Sequence, residues 1–261
     1  MRILAIGNSF AADTMEHVAD IAGSMGVNSF KFTYLYIGGC SINRHFSNAT
    51  NNAADYQYFV NEGSGWEDRG KNSIYDAIKE EKWDYISIQH GTGDKSRYTS
   101  PESYVNLSPL IEYVKKIAHK DVKIAFNMAW VPEPDSTHHE IVSYDGNQAL
   151  MYEKLTDITK NIVMHIQDID VISPAGTAIQ NARTCIDKKL TRDRFHLSYD
   201  LGRYIAGLTF LKALYGVDLS NVKWSPEGVT DDEVKIAKKA AQTACEQPFS
   251  VTELVRPETQ N

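Results

Sequence analysis

The sequence predicts an α/β protein in which a mostly parallel sheet is covered by helices. Short apolar runs alternate along the chain with longer amphipathic stretches, which is typical of strands connected by helices. Polar or glycine-containing segments follow several of the apolar runs directly, as loops do at the carboxyl ends of parallel strands. Repeats and linker-like tracts are absent from the sequence. We therefore predict one domain over residues 1–247, followed by a tail over residues 248–261.

Five strands are predicted from runs of apolar and β-branched residues, at 2–6, 30–36, 85–89, 123–128 and 169–172. Helices are predicted at about 13–25, 73–80, 101–119, 146–167, 201–215 and 231–245. Asp13 and Asp145 are expected as N-caps, and Gly26 lies where a C-cap is expected. Residues 42–71, rich in Asn, Tyr and Trp but weakly periodic, are expected to form an excursion over the surface.

The composition excludes several classes of protein. With 42% hydrophobic and 23% charged residues, the chain is typical of a folded globular protein. Its formal charge of -7 argues against a nucleic-acid partner or an anionic membrane, because both require clustered positive charge. No apolar run reaches the roughly 18 residues that a membrane span needs, so membrane insertion is not expected. Three well-separated cysteines indicate neither a disulfide framework nor a zinc site.

Residues suited to catalysis follow three of the predicted strands. Ser9 comes after the first strand, Gly39 after the second, and Gln89 at the end of the third. Because the carboxyl ends of parallel strands meet at one edge of a sheet, these residues are expected to share a crevice. Asp193 and His196 lie in a loop just before the last large helix, from which they can return to the same edge.

The spacing of Asp193 and His196 suits a catalytic base. A carboxylate three residues before a histidine can bind one ring nitrogen and leave the other free to accept a proton from a hydroxyl. Ser9 then supplies the nucleophile, and the backbone N–H groups of Ser9 and Gly39, with the Gln89 amide, are candidate donors to an oxyanion. Taken alone, Ser9 is equally compatible with an ordinary helix N-cap, and His196 with a structural loop histidine.

These segments resemble the conserved blocks of SGNH (GDSL-type) hydrolases. The blocks are "GNSF" at residues 7–10, "GGCS" at 38–41 and "DRFHL" at 193–197. The sequence is most similar to a bacterial branch with stretches like "WDYISIQHG", "GTAIQNAR" and "HLSYDLGRYIAG". The resemblance implies a flavodoxin-like three-layer α/β/α sandwich with a five-stranded sheet. It also implies Ser9 as nucleophile, His196 as base, Asp193 as its orienter and Gly39 as an oxyanion donor.

Two departures from the family pattern affect these assignments. Asn8 stands where the usual block has aspartate, which alters the hydrogen bonding of the turn and leaves the nucleophile in place. The usual Gly-x-Asn-Asp of the third block is absent, and Gln89 at the matching strand end is the candidate replacement for its asparagine donor.

Other residues near the predicted crevice have weaker assignments. His90, Tyr98 and Trp130 are candidate substrate contacts, although aromatic side chains more often serve packing. His138, His139 and Glu140 lie together but lack a metal-binding spacing, so no metal site is predicted. Arg183 is expected in a structural ion pair or in contact with a substrate carboxylate.

The resulting hypothesis is a serine esterase that needs no cofactor and removes short acyl groups, most plausibly O-acetyl groups, from a carbohydrate. The substrate class comes from what the resemblance implies for related bacterial enzymes. A lipid esterase or thioesterase, and a glycan-binding module without turnover, stay open as alternatives. Export with removal of a leader is favoured over a cytoplasmic location, since bacterial carbohydrate de-esterification commonly occurs outside the cytoplasm. The oligomeric state is not predicted.

Overall fold

The computed structural model describes residues 1–93 and 97–256. Seven strands form one sheet in the order β4-β3-β2-β1-β5-β6-β7. Their bounds are β1 Arg2–Gly7, β2 Lys31–Tyr36, β3 Tyr56–Asn61, β4 Glu67–Asn72, β5 Tyr85–Ile88, β6 Lys123–Asn127 and β7 Val171–Ser173. Strands β2, β1, β5, β6 and β7 are mutually parallel, and this part has the strand order of flavodoxin-like folds. The predicted fold class is confirmed.

Helices cover both faces of the sheet. They are α1 Ser9–Met15, α2 Val18–Ser24, α3 Ile42–Thr50, α4 Ile74–Lys79, α5 Leu107–Ile117, α6 His139–Val142, α7 Gln148–Asn161, α8 Ala175–Arg183, α9 Leu201–Tyr215 and α10 Asp231–Glu246. One hydrophobic core packs α1, α2, α8, α9 and α10 against the sheet, and a second core packs α3, α4 and α5 against its other face. Within the described ranges, no helix is both long and apolar enough to cross a bilayer.

The expected surface excursion over residues 42–71 is wrong. This segment contains α3 and an antiparallel hairpin, β3 and β4, which adds two strands to the edge of the predicted sheet. Tyr56, Tyr58 and Val60 alternate along β3 and are buried in the second core. The hairpin was missed because β4 is polar and largely exposed, so it shows no apolar alternation.

Two of the three predicted helix caps are also wrong. Helix α1 begins at Ser9, and Asn8 is its N-cap, with the side chain accepting a hydrogen bond from the Phe10 amide. Asp13 lies inside this helix. Helix α7 is capped by Asn147 rather than Asp145. Gly26, directly after α2, has a φ of 85° and occupies the expected left-handed position.

The described part of the tail lies along α8. Backbone amides of Thr252 and Leu254 donate to the side chains of Asn181 and Thr184, at 2.7 and 2.9 Å. The Thr177 hydroxyl donates to the carbonyl of Pro248. The tail is therefore attached to the core of the fold through side chains of one helix, and its boundary at residue 248 stays a prediction.

Candidate active site

Ser9 lies at a tight turn between β1 and α1. A Cβ added to Gly7 would lie 2.5 Å from the Cβ of Ala11, so only glycine allows the helix to follow the strand this closely. Asn8 and Phe10 are buried on either side, while Ser9 is partly exposed. The turn therefore presents the Ser9 side chain at the carboxyl edge of the sheet.

The amide of Asn8 has two partners in this turn. Its oxygen accepts from the Phe10 amide at 2.9 Å, and its nitrogen donates to the carbonyl of Cys40 at 3.2 Å. A carboxylate can only accept hydrogen bonds, so aspartate at this position cannot make the second contact. Asparagine thus ties the serine turn to the glycine loop that follows β2.

The structure brings Ser9, His196 and Asp193 together. His196 Nε2 lies 2.9 Å from Ser9 Oγ, and His196 Nδ1 lies 2.6 Å from Asp193 Oδ2. The other Asp193 oxygen accepts the backbone amides of Phe195 and His196, at 3.0 and 2.6 Å. Burial raises the pKa of the Asp193 carboxyl, but hydrogen bonds from the His196 ring and these amides outweigh it, and the net pKa is lowered.

The segment between Asp193 and His196 bends sharply. Arg194 has a φ of 67°, a left-handed conformation that is uncommon for residues other than glycine. Its carbonyl accepts the amide of Glu133 at 2.9 Å, and the Arg192 amide donates to the His196 carbonyl at 2.9 Å. These backbone contacts hold the bend that lets the Asp193 side chain reach the ring three residues later.

A buried ionic cluster connects this loop to the helix that carries Ser9. Asp13, one turn further along α1, is 0% exposed. One of its oxygens accepts from Arg192 and Arg203, at 2.9 and 2.8 Å, and the other accepts the Leu197 amide at 2.9 Å. Sequence reasoning assigned Asp13 to a helix cap and missed this cluster. An acidic residue one turn after the candidate nucleophile was the available signal.

The glycine loops after β2 and β5 pack directly on each other. The Gly93 amide donates to the Gly39 carbonyl at 2.6 Å, and Gly39 has a φ of 64°. A Cβ on Gly91 would lie 2.4 Å from the Cys40 carbonyl oxygen and 2.6 Å from the Asn8 amide nitrogen. Gly39 is therefore held beside the serine turn by contacts that leave no room for side chains.

Gln89 lies beneath helix α1. Its side chain is buried, and neither amide atom has a hydrogen-bond partner among the described residues. It borders a small space that is also lined by Ala11, Thr14 and Asn127. No contact links its amide to the Ser9 turn, so its role as an oxyanion donor stays a prediction with no hydrogen bond in its support.

The three residues expected to contact a substrate are instead buried. His90, Tyr98 and Trp130 are only 2%, 1% and 0% exposed. The Tyr98 hydroxyl donates to the Trp130 carbonyl at 3.1 Å, and the Trp130 indole donates to the Phe195 carbonyl at 2.8 Å. Both rings pack edge-on against Phe10. Tyr98 and Trp130 therefore form a layer beneath the site that supports the His196 loop.

His90, in the loop after β5, packs against the ring of Tyr104, with ring centroids 4.8 Å apart. Its Nε2 lies 3.2 Å from the Ser103 carbonyl, and burial lowers its pKa to about 4. A neutral, enclosed ring at this position connects the loop after β5 to the segment before α5. It is not a surface group that a substrate can contact in this conformation.

Arg183 forms a structural ion pair with Glu133 at 2.8 Å. His138 and His139 are not joined by a third metal-binding side chain, and no group of three or more such side chains occurs in the described ranges. His138 instead lies against Phe195, with ring centroids 3.8 Å apart. Sequence reasoning considered His138 only as a metal ligand and missed its place beside the site.

The sequence and fold of the chain match a family of known proteins. The family model DUF4886, described as a domain of unknown function, matches residues 2–244. The chain belongs to the DUF4886 family. A crystal structure of a DUF4886 family protein from Bacteroides uniformis ATCC 8492 is 34% identical, with a TM-score of 0.91 over 97% of this chain and 98% of that chain. The fold described above is therefore shared within the DUF4886 family.

A more distant likeness is to a crystal structure of a member of the lipolytic protein G-D-S-L family from Veillonella parvula DSM 2008. It is 15% identical, with a TM-score of 0.49 over 79% of this chain and 94% of that chain. No curated protein sequence matches this DUF4886 chain. The argument for an activity therefore depends on the geometry of the site itself.

Proposed function

We propose that the protein is a serine ester hydrolase of the SGNH type. The observation that carries this proposal is the continuous hydrogen-bonded chain from Ser9 through His196 to Asp193. A serine hydroxyl is a poor nucleophile unless a base accepts its proton, and the contact of 2.9 Å between Ser9 Oγ and His196 Nε2 is within the range for that transfer.

In the proposed reaction, Ser9 Oγ attacks the ester carbonyl carbon while His196 Nε2 takes the hydroxyl proton. Asp193 orients the ring and stabilises the imidazolium that forms. The carbonyl electrons move to oxygen, and the backbone N–H groups of Ser9 and Gly39 donate to this oxyanion, with Gln89 as the expected third donor. The C–O bond then breaks, and His196 returns the proton to the leaving alcohol.

Water completes the reaction by the same path. His196 removes a proton from water, the hydroxide oxygen attacks the acyl carbon, and the acid is released with the proton restored to Ser9 Oγ. Each step uses only groups of the chain, the ester and water, so the proposed mechanism needs no metal or cofactor.

A short acyl group on a carbohydrate is the proposed substrate. Phe10, Trp130 and Tyr98 are buried and packed against one another next to the Ser9 turn, so these three rings leave no open channel between them for a long acyl chain. A small acetyl group has no such requirement. The resemblance to SGNH hydrolases supports the same substrate class.

The proposal is tested by comparing p-nitrophenyl esters of increasing acyl length and a set of acetylated sugars, with Ser9→Ala as the blank. We expect hydrolysis that is fastest for acetyl esters and absent from the blank. Preference for long chains or thioesters would retain the mechanism and replace the substrate. Glycan binding without any turnover by the wild type would overturn the esterase proposal in favour of a binding module.

Gly91→Ala is expected to lower kcat by about 100-fold, the effect of losing one oxyanion donor. The added methyl group would overlap the Cys40 carbonyl at 2.4 Å and displace the loop that carries Gly39. Steady-state kinetics would measure kcat and KM separately. Gly23→Ala is the matched control, because a Cβ there meets nothing within 4 Å. Wild-type kcat in Gly91→Ala would show that the glycine loops do not shape the reaction site.

A further inference from the structure

His138 lies beside the site as the N-cap of α6. Its Nδ1 accepts the backbone amide of Glu140 at 3.3 Å. Because an imidazole nitrogen that accepts a hydrogen bond carries no proton, the neutral ring must carry its proton on Nε2. The cap thus leaves Nε2 as a hydrogen-bond donor with a defined position.

The ring of His138 connects the two sides of the crevice. One face stacks on Phe195, the residue before His196, at 3.8 Å and an interplanar angle of 12°. Its Nε2 lies 3.4 Å from the Thr92 hydroxyl, in the loop whose next residue, Gly93, binds Gly39. His138 therefore bridges the segment that carries His196 and the loop that packs on Gly39.

The charges around His138 favour a neutral ring. Burial, with smaller contributions from the neighbouring His139 and His196, lowers the pKa of His138 to about 4, and Asp193 opposes this shift only in part. At neutral pH the ring therefore presents one donor and no charge, which suits a hydroxyl or ether oxygen better than a carboxylate.

We propose that His138 is a specificity-determining residue whose Nε2–H donates to an oxygen on the alcohol part of the ester. The leaving alcohol has to lie against His196, which returns its proton, and His138 stacks on Phe195, the residue before His196. The contact of 3.4 Å with Thr92 is long for a hydrogen bond, so a substrate oxygen can replace it at little cost. The alcohol selected in this way carries a second oxygen near the ester, as in an acetylated sugar. The inference rests on the proposed esterase function.

The test compares two acetyl esters: an acetylated monosaccharide, and p-nitrophenyl acetate, which has no neighbouring hydroxyl. His138→Phe keeps a ring that can stack on Phe195 but removes the donor. We expect kcat/KM for the sugar ester to fall about 10-fold, as for a lost hydrogen bond, with p-nitrophenyl acetate nearly unchanged. His138→Gln, which retains an N–H donor, is expected to restore part of the preference. His165→Phe, at an exposed position on a short 3-10 helix, is the control and is expected to leave both rates unchanged.

Equal losses on both esters in His138→Phe would show that His138 only supports the fold, and they would overturn the inference while leaving the esterase proposal intact. Equal preference for the sugar ester in the wild type and in His138→Phe would overturn it as well. A wild type without activity on any ester is a distinct outcome, which overturns the proposed function. Thermal unfolding of each variant, measured in parallel, shows whether a loss on both esters comes from a misfolded protein.

Discussion

Replacement of His196 by alanine is expected to lower kcat for ester hydrolysis by about 10⁴- to 10⁶-fold, the range for removal of a catalytic base that acts with a serine. Without the ring, the Ser9 hydroxyl loses the nitrogen that lies 2.9 Å from its oxygen and can accept its proton, so the hydroxyl stays a weak nucleophile. The loss is expected mainly in kcat, since the ring acts on the transition state. An unactivated alkyl or sugar acetate is the most informative substrate for this measurement, because its leaving alcohol also needs the proton that His196 returns.

If Ser9 and His196 act together in one step, removing either residue should have the same effect as removing both. Ser9→Ala, His196→Ala and the double variant are expected to lose nearly the same activity, because a nucleophile without its base contributes little. His165→Ala is a suitable control, since this histidine is exposed on a short 3-10 helix. Losses that multiply in the double variant, or wild-type activity in either single variant, would contradict the proposed pairing of Ser9 with His196.

The second large effect is expected from Asp13→Asn, which removes the negative charge between Arg192 and Arg203. Breaking one side of a buried ion pair leaves charge uncompensated, and we expect the free energy of unfolding to fall by about 3–5 kcal/mol. Asparagine offers one acceptor oxygen in place of two to the Leu197 amide and the two arginines, so the contacts that hold the His196 loop to α1 are weakened. A base displaced by about 1 Å lowers the rate about 100-fold, so kcat is expected to fall by that order in the folded variant.

The two consequences of Asp13→Asn are measured separately. Urea unfolding gives the change in stability, and kinetics at a temperature where the variant is fully folded give the change in kcat. Asp157→Asn serves as the control, because this carboxylate pairs with Lys154 at an exposed position on α7, where little stability is expected from the pair. Wild-type kcat in folded Asp13→Asn would show that the buried cluster does not position His196.

Much of the fold was predictable because apolar periodicity reports burial directly. The parallel strands β1, β2, β5 and β6 are largely buried on both faces, so each appears as an apolar run. Strand β4 was not predictable in this way, because a polar edge strand resembles a loop in sequence. Strand β3 was not predictable either, because its alternation of buried side chains is short, with only Tyr56, Tyr58 and Val60.

The residues of the site were likewise only partly predictable from the sequence. Trp130 and Tyr98 were expected to face a substrate because they follow strands or lie in loops at the correct edge. A position in the sequence does not give the direction of a side chain, and both residues turn inward to pack against Phe10. Asp13 was expected to be a helix cap because aspartate is common at helix starts. Its actual partners, Arg192 and Arg203, lie far along the chain and leave no local signal in the sequence.

The sequence by itself determined the fold class and one local contact: apolar runs specify the sheet, and a carboxylate three residues before a histidine can orient the imidazole ring. Only the tertiary structure decided that this ring reaches Ser9, which is 187 residues away in the chain. The physical reason is that the His196 loop is held near Ser9 by distant residues: Asp13 binds the loop through hydrogen bonds, and Trp130, packed on Phe10, supports it from below. That packing depends on the whole folded core and cannot be read from the spacing of residues in any one segment.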